Sequence, residues 1–195
     1  MPQNSKVLRS ARVEEKGKIV PQRSTPRRLV ITSIMIALGA SLSIYPGSIP
    51  IGPTRVFPFQ HMINGITGVV LGPLNAMVIA TGIAVLRMLL GTGTIFAFVG
   101  GIPGAIIVGV IYHYIKRSDA AALAEPIGTT IGALLSAFLV APAIGTNAFP
   151  PFLGLTAHWA IFSIFCLMSS IPGTLLGFTV LLALRRSGLL ARLLP

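Results

Sequence analysis

Residues 55–73, RVFPFQHMINGITGVVLGP, decide how the chain is read. The segment opens on Arg55, Phe57 and Phe59, gathers Gln60, His61 and Asn64, and then runs through apolar and small residues to Gly72 and Pro73. Pro58 suits the first turn of a helix. In that helix Gln60 and Asn64 (i, i+4) and His61 and Asn64 (i, i+3) fall on adjoining parts of one surface. Facing lipid, an unpaired amide or imidazole is costly, so the group must face protein or a water-filled cavity. Two readings follow. Either the three side chains bond this helix to its neighbours, or they form a ligand site at the mouth of a span, with Phe57 and Phe59 as its apolar wall.

Outward from this segment the chain is equally apolar. Of 195 residues, 53% are hydrophobic and only 10% charged, against about 25% charged in soluble domains. Six apolar stretches, near 29–45, 57–72, 73–90, 94–115, 120–142 and 156–184, each approach the roughly 17 to 25 residues that a bilayer-spanning helix needs. The expected fold is an all-α integral membrane protein of six transmembrane helices over residues 29–186. It is flanked by a basic, disordered cytoplasmic tail (1–28) and a short cytoplasmic C-terminal tail (187–195).

The net charge of +11 raises the question of nucleic acid, but its distribution argues against that partner. Eight of the fifteen Lys and Arg residues lie in the first 28 positions; Lys116, Arg117, Arg185, Arg186 and Arg192 add five more. With a cytoplasmic N-terminus and six crossings all thirteen fall inside, as the positive-inside rule asks, and both termini are cytoplasmic. Arg55 and Arg87 remain, at the outer face. The tail lacks the apolar core and cleavage site of a secretory signal and is suited to anionic lipid. Cys166, the single cysteine, excludes an intramolecular disulfide and a cysteine-based metal cluster; it is expected to face lipid or fill packing space.

No phosphate-binding GxxxxGK[ST] loop, HExxH or GxSxG is present, so ATP hydrolysis, zinc proteolysis and serine hydrolysis lack their residues. No enzyme activity, metal or cofactor is expected. The only acids are Glu14, Glu15, Asp119 and Glu125. Ion-coupled carriers usually keep carboxylates inside their spans, and only Glu125 qualifies; followed by Pro126, it reads most simply as a first-turn acid favouring a helix N-terminus. Binding is the chemistry best supplied.

Two further segments place polar groups on the outer side. In VLRMLLGTGTIFAFVGG, Val85 to Gly101, Arg87 either snorkels to head groups or turns inward, and the Gly91–Thr94 run, with Thr92 and Thr94, ends the helix with free backbone and two hydroxyls. In GTNAFPPFLGLTAHWA, Gly145 to Ala160, Asn147 lies in a Pro-bent loop, and His158 and Trp159 open the last span; Trp159 is either an interfacial belt residue or a stacking surface. On the first span Ser33, Ala37 and Ser41 recur every four residues, a spacing that lets another helix approach closely.

The segments VFPFQHMINGITGVVLGP, LRMLLGTGTIFAFVG and LAEPIGTTIGALLSA resemble the ThiW family, the thiazole-specific substrate-binding (S) components of energy-coupling factor (ECF) transporters, from about Leu29 to Arg186. The resemblance implies a six-helix subunit that captures a vitamin precursor outside the cell and docks onto a T component and two ABC-type ATPase subunits. The family's Ala-x-x-x-Ala docking pattern is softened here to small residues at Ser33, Ala37 and Ser41. The implied ligand is hydroxyethylthiazole. Phe57, Phe59 and Trp159 would provide its slot, and Gln60, His61, Asn64, Thr92, Thr94, Asn147 and His158 its polar partners. Arg87 either braces the loops or marks an anionic ligand. A self-sufficient secondary carrier is the alternative, and an intramembrane enzyme with His61 or His158 as base lacks an accompanying nucleophile.

Overall fold

The structure, a computed structural model, describes residues 26–44, 47–51, 54–145 and 159–190. Among these, six long helices appear in the expected places: α1 (Pro26–Leu42), α2 (Pro58–Leu71), α3 (Pro73–Leu89), α4 (Phe96–Val110), α5 (Glu125–Leu135) and α6 (Trp159–Arg186). A π-helical turn, Ile111–Ile115, extends α4. α5 is preceded by a 3-10 turn, Asp119–Ala124, and continued through a π turn, Ser136–Val140, into Ala141–Ala143. Between α1 and α2 a short antiparallel hairpin, β1 (Ile49–Ile51) and β2 (Thr54–Val56), pairs Pro50 with Arg55; the sequence reading did not foresee it.

Proline and glycine set the boundaries. Pro58 and Pro73 each occupy a first turn, where the missing N–H is of no consequence. Gly72 alone joins α2 to α3 at φ +84°, a conformation that a side chain would strain. This single-residue reversal puts α2 and α3 side by side.

Among the described residues, three helical stretches are long and apolar enough to cross a membrane: Phe96–Ile115, Asp119–Ala143 and Trp159–Arg186. The other three are shorter. α1 and α3 have 17 residues and α2 has 14, below the roughly 20 that a hydrocarbon core of about 30 Å requires. The expected set of six full-length spans is therefore met in number of helices and not in length. For α2 the reason is its position: every residue except Phe59 and Met62 is buried, so the neighbouring helices and not lipid form its surroundings. That shielding permits polar side chains in a helix of this kind. The outward surfaces elsewhere are apolar, with Leu74, Leu89, Tyr114, Phe138 and Leu139 exposed, as an integral membrane protein demands.

Close approaches lock the helices around α2. The core is built from Ile63, Ile66 and Val69 of α2, Ile79 and Ile83 of α3, Val108 of α4 and Leu181 of α6. Gly173 of α6 lies so near α2 that a side chain there would strike the Pro58 carbonyl and the His61 Cβ. On α5, Gly132 abuts the carbonyl of Val99, the group whose helical partner Pro103 of α4 cannot supply. Small residues at such crossings are the usual means of packing helices in a membrane. As a result the first turns of α2, the start of α4 and the middle of α6 converge at one end of the bundle, capped by the hairpin.

Candidate functional site

A cavity of ≈ 440 Å³ opens at that end. Its wall includes Phe57, Gln60 and His61 at the start of α2, Arg87 at the end of α3, and the connection through Gly91, Thr92, Gly93 and Thr94. Phe96, Ala97, Gly100 and Gly101 of α4, Ser136 of α5 and Phe162, Phe165, Cys166 and Ser169 of α6 complete it, with Thr54 and Arg55 of the hairpin at the rim. The volume lies within the range of about 300 to 1,000 Å³ for small-molecule sites, and aromatic walls with a few convergent polar groups are their usual make-up. Phe96 and Phe162 meet edge to face, with centroids 5.2 Å apart.

Arg87 is buried, 3% exposed. Its guanidinium turns inward, lies 3.6 Å over the Phe57 ring, and donates through Nη1 to Gln60 Oε1 and through Nη2 to the Thr92 carbonyl at 3.2 Å. The snorkelling alternative is thereby overturned: a cation stacked on an aromatic face and bonded to a loop carbonyl is a brace between α2, α3 and the connection. Gln60 is oriented in turn, its Nε2 reaching the Ala97 carbonyl at 3.5 Å. Gly91, at φ +68°, makes the sharp exit from α3 that brings Thr92 under Arg87. At the rim Arg55 donates to Ser48 Oγ at 3.1 Å.

Behind His61 lies a group that the sequence reading did not assemble. Glu125 is fully buried. Its Oε1 receives Asn64 Nδ2 at 3.1 Å and Thr129 Oγ1 at 2.9 Å and lies 2.7 Å from His61 Nδ1, while Ser170 donates to its Oε2. Both carboxylate oxygens are thus engaged, the condition for a carboxylate to survive burial. With Nδ1 held by the carboxylate, Nε2 is the ring nitrogen left for the cavity that His61 lines. A carboxylate accepting from one ring nitrogen fixes both the tautomer and the orientation of the imidazole. Glu125 is indeed the first residue of α5, yet its partners lie on α2, α5 and α6, and it ties those three helices together.

The structure sorts the remaining sequence-level candidates. Thr92 and Thr94 line the cavity. Asn64 lies beneath it: Nδ2 also donates to the Gly101 carbonyl at 3.0 Å, and Oδ1 is buried with no partner among the described residues. Phe59 is not part of the wall, and Trp159, 45% exposed, is at the outer surface of α6. Asn147 and His158 lie outside the described residues. Cys166, expected to face lipid or fill packing space, lines the cavity instead. Ser33, Ala37 and Ser41 are all exposed on one side of α1, while Gly39 and Ala40 turn inward. Among the described residues no group of His, Cys, Asp and Glu is arranged to hold a metal ion.

Sequence reasoning also passed over Phe96, Phe162, Phe165, Ser169 and Ser170. Ser169 accepts the Phe57 N–H at 2.6 Å, and Ser170 closes the Glu125 cluster. Their only signal was two adjacent hydroxyls in the middle of an apolar span, which lipid does not tolerate without partners.

A family model described as "Thiamine-precursor transporter protein (ThiW)" matches residues 29–187. No curated protein and no solved structure matches the chain.

Proposed function

The chain belongs to the ThiW family of thiamine-precursor transporter proteins, and from that premise we propose that it is the substrate-capture (S) subunit of an ECF-type importer. In this reading it binds hydroxyethylthiazole at the extracellular side for thiamine salvage and has no enzymatic activity of its own. The observation that supports it most is the cavity itself: one chamber at one end of the bundle, into which α2 directs Gln60 and His61, α3 directs Arg87 and the connection brings Thr92 and Thr94, with Phe96 of α4 and Phe162 and Phe165 of α6 as its aromatic wall. A thiazole ring fits between Phe57, Phe96 and Phe162, and the His61 Nε2 serves as partner for the hydroxyl arm or, protonated, for the ring nitrogen.

Charge supports the orientation. Among the described residues the cavity end has only Arg55 and Arg87, whereas Lys116, Arg117, Arg185 and Arg186 gather at the other end, so the positive-inside rule favours an outward cavity. With no phosphate-binding loop in the chain, energy must come from a T component and two ABC-type ATPase subunits. The exposed face of Ser33, Ala37 and Ser41 on α1 is the docking surface in this reading, because small residues let a partner helix approach closely.

One observation favours a second reading. The Glu125–His61 pair, 2.7 Å apart and buried behind the cavity wall, is the kind of intramembrane ionisable pair that proton-coupled carriers employ. The two readings separate in liposomes. A capture subunit alone binds hydroxyethylthiazole but accumulates none under an imposed proton gradient; accumulation by this chain alone would establish the carrier and remove the S-subunit reading.

A further inference from the structure

The cavity has a charge imbalance that a neutral thiazole alcohol leaves uncorrected. Two arginines line it, Arg87 in its wall and Arg55 at its rim, and no Asp or Glu does. The chain has four acids in all. Asp119 is bound by Arg185 through two hydrogen bonds of 2.5 and 2.6 Å. Glu125 is engaged by His61, Asn64, Thr129 and Ser170. Glu14 and Glu15 lie outside the described residues. Among the described residues, therefore, no carboxylate answers Arg87.

Leaving a guanidinium 97% removed from solvent without a counter-charge is unfavourable, because burial strips its hydration and only an opposite charge or full hydrogen bonding restores the loss. Arg87 has five N–H donors. Gln60 and Thr92 take one each, and Nε has no partner among the described residues. Stacking on Phe57 offsets part of the deficit. Beside the guanidinium, α4 begins at Phe96, with Thr94, Phe96 and Ala97 in the cavity wall. The N-terminus of a 15-residue helix presents its positive dipole end there, although the Ala97 and Phe98 N–H groups already donate to the Thr94 and Ile95 carbonyls. Two independent features, an under-partnered buried cation and a helix N-terminus, thus face the same space.

We infer that this part of the cavity is an anion subsite, and that the ligand class it selects is a small aromatic with an anionic arm, represented by the phosphate monoester of hydroxyethylthiazole. The inference rests on the proposed function for the ring's place among the aromatics and adds the charge of the arm. Arg87, Arg55 and the start of α4 take the anion. Glu125 is not a partner for Arg87, because its oxygens are engaged by His61, Asn64, Thr129 and Ser170.

The test is calorimetric titration of the purified full-length protein with hydroxyethylthiazole and with its phosphate ester, in wild type, Arg87→Gln and Arg55→Gln. A charge-assisted hydrogen bond in a partly buried site corresponds to about ten- to hundredfold in affinity. The ester is expected to bind wild type tighter by that factor. Both variants are expected to lose the preference, read in each as the ratio of the dissociation constants of ester and alcohol. Arg55, exposed at the rim, serves as the variant whose folding is not at risk. If the alcohol binds and the ester binds no tighter, the anion subsite is overturned and the proposed function stands. If neither thiazole binds, the proposed ligand falls, and thermal stabilisation by inorganic phosphate decides the subsite: stabilisation lost in Arg55→Gln upholds it, and none in wild type overturns it.

Discussion

At one end of the molecule Arg185, half exposed, is held by the Asp119 carboxylate and lies 3.5 Å from the Tyr112 hydroxyl. At the other, Arg87 is buried and meets an amide oxygen, a carbonyl and an aromatic face, with no carboxylate among the described residues. The same side chain thus serves two purposes. Arg185 is paired, near water, and ties the end of α6 to the 3-10 turn before α5; its contribution is structural and modest, as for exposed ion pairs in general. Arg87 is costly where it stands, and a fold retains such a group where it has a use. The polar end of the bundle is where the protein bears the expense of burial, and the basic end is where it needs only solvation and orientation.

The contrast breaks most visibly at Glu125. Glu125→Ala removes the acceptor shared by His61, Asn64, Thr129 and Ser170 and leaves buried donors unpaired, at a cost of about 3 to 5 kcal/mol. A large drop in melting temperature is expected, with Glu125→Gln milder because one carbonyl oxygen remains. Asn64→Ala comes next. It deletes the bonds to Gly101 and Glu125 and should cost about 1 to 3 kcal/mol, while the dissociation constant for hydroxyethylthiazole changes little among folded molecules. At the basic end Asp119→Asn should lower stability by at most about 1 kcal/mol and less still in high salt, which screens an exposed pair; a denaturation series at two salt concentrations reads this. The smallest stability change is expected for Ala37→Leu or Ser41→Leu on the exposed face of α1. Both should melt and bind as wild type does and yet fail to co-purify with the T component; normal assembly would remove α1 as the docking face.

The six helices were legible because hydropathy and Pro/Gly punctuation are local properties: Pro58, Pro73 and Pro126 start helices, and Gly72 and Gly91 end them. The hairpin was not, since Ile49–Ile51 and Thr54–Val56 are three residues each, too short for period-2 alternation to register. At the site, Gln60, His61, Arg87, Thr92 and Thr94 stood out as polar groups in apolar surroundings, and the fold brings them to one cavity. Asn64 was grouped with them on helical spacing, but spacing does not say which neighbour a face meets; here that neighbour is α4. Glu125 was legible as a helix-starting acid and illegible as the centre of a cluster. Its partners, 61, 64 and 170, are 45 to 64 positions away, and nothing in one sequence pairs residues at such separations.

The central claim is that His61, held by Glu125, presents Nε2 to a ligand in this cavity. Titrating hydroxyethylthiazole into wild type and His61→Ala, with the melting temperature of each preparation taken alongside, tests it most directly. The account predicts binding to wild type that weakens about ten- to hundredfold in His61→Ala, in protein that still melts cooperatively. An unchanged dissociation constant in folded His61→Ala would contradict it.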